Sequence, residues 1–138
     1  MIERAVAEIS VLSHTPMRCS AFVESEPWGF ESEHRFVNIG VEIDSNLHPM
    51  ELLHRLLDIQ NCICSDSHRD TDGGYVDRRI DVDLICYGDC VMNNTELTLP
   101  HPRMHLREFV LQPLAELSPE WEHPLLGLTA AELLSRLR

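Results

Sequence analysis

The stretch "DRRIDVDLICYG", Asp77 to Gly88, sets two aspartates, Asp81 and Asp83, two residues apart in a run of Ile, Val and Leu. In an extended strand, residues i and i+2 share a face and lie about 6.6–7 Å apart. The spacing therefore predicts a strand with Ile80, Val82 and Leu84 turned to a core and Asp81 and Asp83 together on the other side. Two hard oxygen donors at that separation suit one or two magnesium ions, which take a few carboxylates plus substrate phosphates. Side by side without a cation they repel, so the pair needs a metal, an arginine or open water. Arg78 and Arg79 stand just upstream, and His101, Arg103 and Arg107 come later in the chain; together they can neutralise a polyphosphate. The same pattern also describes the solvated face of a half-exposed strand, and the motif alone leaves both readings open.

Working outward, Ile2, Ala5, Val6, Ile9 and Leu12 recur at helical spacing, so the chain opens in a helix. "MRCSAFVES", Met17 to Ser25, predicts a strand that ends at "EPWGF", where Pro27 and Gly29 punctuate a loop. "RFVNIGVEID" alternates, with Phe36, Asn38, Gly40 and Glu42 on one side and Val37, Ile39, Val41 and Ile43 on the other. Pro49 fits a first helical turn, and Leu52, Leu53, Leu56, Leu57 and Ile59 give that helix an apolar stripe. Cys64 to Asp77 is polar, contains Gly73 and Gly74, and predicts a long loop. After the Asp-x-Asp strand, "YGDCVMN" predicts a tight turn into a short partner strand. A proline-marked loop, "LTLPHPRMHLREF", leads to a helix around Leu106 to Leu117. "LTAAELLSRL" closes as a helix with Thr129 and Glu132 placed as a capping box. Helix, strand, strand, helix, strand is the order of a β-α-β-β-α-β sandwich that lacks its first strand.

The 138 residues predict a single domain spanning 1–138, long enough to bury one core. A formal charge of −12 argues against nucleic-acid and anionic-membrane surfaces, which need clustered Lys and Arg. No apolar run approaches the ~18 residues of a membrane span and no basic-then-apolar leader opens the chain, so the expected location is the cytoplasm. Of the five cysteines, Cys62 and Cys64 with His68 sketch a soft-metal site, but no spacing matches a closed zinc site. Reduced and mostly buried thiols are the expectation for Cys19, Cys62, Cys64, Cys86 and Cys90.

The Asp-x-Asp stretch becomes more specific when joined to the proline-marked loop and helix beyond it. "RRIDVDLICYG" and then "TLPHPRMHLREFVLQPLAEL" closely resemble the 6-hydroxymethyl-7,8-dihydropterin pyrophosphokinase family of folate biosynthesis. There an R-x-x-D-x-D strand, followed by Ile, Leu or Val, precedes a P-H segment led by Leu or Val and then an R-x-F-L-x-P-L-type run with Val or Met after the Phe. Here these are Arg78, Asp81 and Asp83; Leu99, Pro100 and His101; and Arg107, Phe109, Val110, Leu111, Pro113 and Leu114. "EPWGF…RFVN" is similar to the family's pterin-cradling loop and strand.

The resemblance implies a ferredoxin-like α/β sandwich, an antiparallel sheet with helices. It implies magnesium-assisted transfer of the β,γ-pyrophosphoryl unit of ATP to the pterin hydroxymethyl oxygen. Carried over by position, Asp81 and Asp83 would ligate two magnesium ions, with Asp83 and Arg78 the catalytic pair. Arg78, Tyr75, Thr98, His101 and Arg107 would contact ATP. Ser25, Trp28, Phe36, Asn38 and Phe109 would line the pterin pocket.

The chain departs from the family at several places. The family's opening strand and "GSNLGD"-like turn have no counterpart before the first helix, so a sheet missing its first strand is expected. Either the true start lies upstream of Met1, or a rearrangement or another chain covers that edge, as a homodimer would. The family's helix-ending Glu and G-R-x-R run read Gln60 and then Cys64 to Ser67, with Arg69 the nearest substitute. A loop tryptophan and proline become Tyr75 and Asp77, and an arginine position becomes Glu96. Ser65 and Ser67 in place of arginines also frame a second reading, a catalytically impaired or non-catalytic pterin-binding paralogue or interaction module of the same fold.

Overall fold

Helix α1 (Ile2–Ser10) forms where the apolar spacing demands it and buries Ala5 and Ile9. The structure, a computed structural model, describes residues 2–25, 36–67 and 80–138. The chain mixes helices with antiparallel strand pairs and divides into two compact units. One comprises Met1–Met17 and Ile43–Leu84, the other Arg18–Glu42 and Ile85–Arg138.

In the first unit α1 packs against α2 (Pro49–Ser67). His48 sits ahead of α2: its Nδ1 accepts the Met50 N–H at 3.2 Å and its carbonyl the Leu52 N–H at 2.9 Å. The first of these satisfies a donor orphaned at the helix start, and the second is the helix's first i→i−4 bond. Leu52, Leu53, Leu56 and Ile63 are buried, each contributing roughly 1.5–3 kcal/mol. The helix runs on through Ser67, where a loop is expected from Cys64. Nothing between Gln60 and Ser67 stops it: the run has no Gly or Pro, and Ile63, 2% exposed, extends the apolar stripe.

The Asp-x-Asp segment corrects a second expectation. Residues Ile80–Leu84 form no strand; the next strand along the chain, β5 (Met92–Asn93), pairs with β6 (Thr98–Leu99). A strand exists only through a ladder, and among the described residues nothing pairs with this segment. Its period of two survives all the same: Ile80, Val82 and Leu84 are half-buried while Asp81 and Asp83 are exposed.

In the second unit the two expected strands each break in the middle. β1 (Arg18–Cys19) pairs with β4 (Val41–Glu42), and β2 (Val23–Ser25) with β3 (Phe36–Asn38), all antiparallel. Between Cys19↔Val41 and Val23↔Asn38 lie three residues on one side, 20–22, against two on the other, 39–40. That extra residue is a bulge, which interrupts the ladder and bends the hairpin. Ser20 bridges the break: its N–H donates to the Gly40 carbonyl at 2.9 Å and its Oγ accepts the Gly40 N–H at 2.8 Å. Helix α3 (Glu108–Leu117) closes on this point so tightly that a Cβ on Gly40 would lie 2.6 Å from the Pro113 Cβ.

The core of this unit is Met104, Leu111 and Leu133, with Ile85, Val110, Leu114, Trp121, Leu128 and Leu134 packed around them. Met104 lies in a 3-10 turn (Met104–Leu106) and Leu133 in α4 (Ala130–Leu137). The capping box of α4 forms as its sequence predicts, with Thr129 Oγ1 accepting the Glu132 N–H and Glu132 Oε1 accepting the Thr129 N–H. Ahead of it the Trp121 indole donates to the Gly88 carbonyl at 2.8 Å. His123, 5% exposed, accepts the Leu125 and Leu126 N–H groups on Nδ1 at 3.2 and 3.1 Å. The thiols correct a third expectation, since Cys19 and Cys62 are exposed and Cys64, Cys86 and Cys90 half-buried. Cys62 and Cys64 point to opposite sides of α2, as residues i and i+2 of a helix must, and cannot share a cation.

Two consequences are measurable. Gly40→Ala forces its new methyl against Pro113 and should lower unfolding free energy by about 1–3 kcal/mol in a denaturant titration. Burial, reinforced by His105 with its ring centroid 6.5 Å away, lowers the His123 pKa below its ordinary value of 6.5. The unfolded chain then takes up this proton at higher pH than the folded one. Stability is therefore full above about pH 6.5 and falls as pH drops below it. His123→Asn, which keeps an acceptor near Nδ1 but does not titrate, should flatten that acid limb in thermal unfolding followed by circular dichroism.

Candidate active site

The first unit holds the carboxylate pair. Asp81 and Asp83 both face water, on residues that flank the half-buried Val82. Helix α2 fixes the backbone between them. Gln60 Oε1 accepts the Val82 N–H at 2.8 Å, and the Cys64 thiol donates to the Ile80 carbonyl at a long 3.8 Å. Gln60 and Cys64 are four residues apart and so share one helix face, which meets the segment at alternate residues. Among the described residues no third His, Cys, Asp or Glu joins the pair in a metal-holding cluster. Two exposed carboxylates are a donor set that fits magnesium, which keeps several positions for water and phosphate. Zinc and copper sites, built from imidazole and thiolate, call for other ligands.

The second unit carries the remaining described candidates on separate elements. Asn38 ends β3, opposite Val23, and Thr98 begins β6, opposite Asn93; both are half-buried. His101 follows the cis Leu99–Pro100 peptide. Its N–H donates to the Ile85 carbonyl at 2.8 Å, and its Nδ1 accepts the Arg103 N–H at 3.3 Å. Arg107 precedes α3, and its guanidinium carbon stands 5.7 Å from the centroid of the Phe109 ring, a cation–π arrangement. Arg107 and Phe109 are thus brought together, as are Asp81 and Asp83. Ser25 and Phe36 pair with each other across β2 and β3. Trp28, Tyr75, Arg78 and the arginine substitute Arg69 lie outside the described residues, as does His68.

The family model for 7,8-dihydro-6-hydroxymethylpterin-pyrophosphokinase matches residues 1–119. The chain belongs to this family. It is 41% identical over 106 residues to the 2-amino-4-hydroxy-6-hydroxymethyldihydropteridine pyrophosphokinase of Porphyromonas gingivalis, covering 76% of this chain and 71% of that protein. The enzyme of the same name from Synechocystis is 34% identical over 137 residues, 99% of this chain and 68% of its own length. The one from Haemophilus influenzae is 34% identical over 120 residues, covering 86% and 72% respectively.

By sequence alone, Gln60 is no more than a departure from the pyrophosphokinase pattern. Its bond to Val82 is a contact across 22 residues and leaves no local signature. The one hint is its place on the α2 face that continues to Cys64, the face next met by the chain on its return.

One thiol is chemically set apart. Burial first, and then the carboxylate of Glu42, push the Cys86 pKa up to about 11. Glu42 is itself held by the Ser118 hydroxyl, which donates to its Oε2 at 2.9 Å. Thiolate is the reactive form, so Cys86 should be slow to alkylate. With iodoacetamide at pH 8 and peptide mass spectrometry, Cys19 and Cys62 should be modified well before Cys86.

Proposed function

We propose that this chain transfers the β,γ-pyrophosphoryl group of ATP to 6-hydroxymethyl-7,8-dihydropterin, in folate biosynthesis. The family match over residues 1–119 carries this reading. In the reaction the hydroxymethyl oxygen forms a bond to the β-phosphorus, and the bond from that phosphorus to the α,β-bridging oxygen breaks. AMP leaves, and the hydroxyl proton passes to water. Little covalent chemistry falls to the protein in such a step; what it supplies is positioning and charge neutralisation.

Asp81 and Asp83 are the residues that would hold magnesium, two ions in the full assignment. When bound, magnesium neutralises phosphate charge and lowers the cost of bringing an oxygen nucleophile to it. The exposure of both carboxylates on one side of an anchored segment supports this assignment. His101 and Arg107, with Thr98, Tyr75 and Arg78, are assigned to ATP, and Asp83 and Arg78 act at the reacting centre. Asn38 has amide donors and an acceptor suited to the hydrogen-bonding edge of a pterin. Phe109, with Ser25, Trp28 and Phe36, supplies the rest of the pterin pocket. The Arg107–Phe109 pairing supports a division in which one residue faces phosphate and its neighbour a ring. The sheet-and-helix content supports a ferredoxin-like arrangement of these elements.

The non-catalytic reading rests on Ser65 and Ser67 in place of arginines and on the missing first strand, and relatives named as pyrophosphokinases favour the enzyme. A direct test is AMP formation from ATP, magnesium and hydroxymethyldihydropterin, followed by anion-exchange chromatography. Asp83→Ala should lower kcat by about 10²–10³-fold, the usual cost of losing one electrostatic stabiliser. Absence of AMP from the unaltered chain at millimolar ATP would overturn the enzymatic reading.

A further inference from the structure

We propose that Gln60 is a positioning residue for the Asp81–Asp83 pair, holding the backbone between the two carboxylates so that both meet one cation-binding site. This rests on the assignment of magnesium to the two carboxylates and adds a residue that the assignment does not contain. The geometry is local to the first unit. The Val82 N–H belongs to the residue between the aspartates, and it donates to Gln60 Oε1 at 2.8 Å.

No ladder among the described residues fixes Ile80–Leu84, so side-chain bonds from α2 take over the part a neighbouring strand would play. Of these two bonds among the described residues, the thiol–carbonyl contact at 3.8 Å is long and weak, and the Gln60 bond is the stronger anchor. Fixing Val82 fixes the parity of the segment. Because the side-chain period is two, a slip by one residue would turn both aspartates inward and Ile80, Val82 and Leu84 outward. Gln60 is well suited as the anchor. Its acceptor oxygen is neutral, so it adds no charge to a pair that already repels itself, and it sits in the interior of a 19-residue helix.

Metal affinity should therefore depend on a residue that need not ligate the metal. The experiment measures Mn2+ binding to the full 138-residue chain by electron paramagnetic resonance, with α,β-methylene-ATP, which cannot be cleaved at the transferred bond. Gln60→Met keeps length and removes the acceptor; it should weaken Mn2+ binding about five- to tenfold, the effect of one hydrogen bond. Gln60→Glu restores the acceptor and should bind Mn2+ at or above the parental affinity. The Val82 amide should exchange faster with solvent in Gln60→Met and at the parental rate in Gln60→Glu. Should Gln60→Met fail to fold, Gln60→Asn keeps the polar surface and loses only reach, and carries the same expectation.

Parental affinity in Gln60→Met, or a Gln60→Glu protein as weak as Gln60→Met, overturns the positioning role. Asp83→Ala separates that failure from failure of the site. If Asp83→Ala also retains parental Mn2+ affinity, the carboxylate assignment itself falls. If Asp83→Ala loses Mn2+ while Gln60→Met keeps it, the role of Gln60 alone is wrong.

Discussion

Two carboxylates two residues apart can serve a common cation only while the peptide between them is held. Each prefers to turn away from the other, and the entropy of a free segment favours that. In a complete sheet, ladder bonds on both sides impose the alternation. Here the 2.8 Å bond from Val82 to Gln60 carries it, backed by the half-burial of Ile80, Val82 and Leu84. The two effects differ in kind. Burial decides which side the aspartates take, because three apolar residues exposed together would cost several kcal/mol at about 1.5–3 kcal/mol each. The hydrogen bond decides where along α2 the segment sits.

The second unit shows the same economy in a different form. Its bulge at residues 20–22 breaks a long hairpin into two short ladders, and Gly40 stands at the break. A side chain there would hold α3 away from the sheet, so one missing Cβ lets Pro113 and Leu117 approach. Pro113 inside α3 removes one helical N–H, and its buried ring packs against the backbone at Gly40. The residues assigned to nucleotide and pterin, Arg107 and Phe109, stand at the start of that same helix. Their direction thus depends on packing further along the helix, at a position assigned to neither substrate.

Features governed by local physics are legible in the sequence. The first helix, the Pro49 start of the second and the Thr129–Glu132 box all depend on residues within one turn of each other. Features governed by partners far along the chain are not. The Asp-x-Asp segment has the composition of a strand but has no ladder among the described residues, and its burial alternates as the spacing predicts. The break at Ser20 is invisible because a bulge is a property of two strands in register, not of one. The α2 extension past Cys64 is readable in principle: a run without Gly or Pro that includes a buried Ile favours continuing the helix. For the site, the exposure of Asp81 and Asp83 follows from the alternation of the sequence. The anchor that Gln60 provides does not, because its partner is a backbone N–H that no pattern marks.

The substitution at Cys64 to Ser67 bears on how charge is balanced in the proposed reaction. A chain of formal charge −12 repels a triphosphate at long range, though at physiological salt that repulsion fades beyond about 8 Å. Attraction must then come from groups within contact distance. Serines where the family resemblance implies arginines remove two cations from that set, and the α2 helix carries Ser65 on an exposed position rather than on a loop. In the proposed assignment the remaining neutralisation would fall on the magnesium site and on Arg78, His101 and Arg107. Divalent ions concentrate charge better than guanidinium groups do, and they bind phosphate oxygens directly. Accuracy in placing Asp81 and Asp83 therefore matters more in this chain than in one with a full arginine loop, and a neutral anchor at Gln60 preserves that placement without adding to the negative charge.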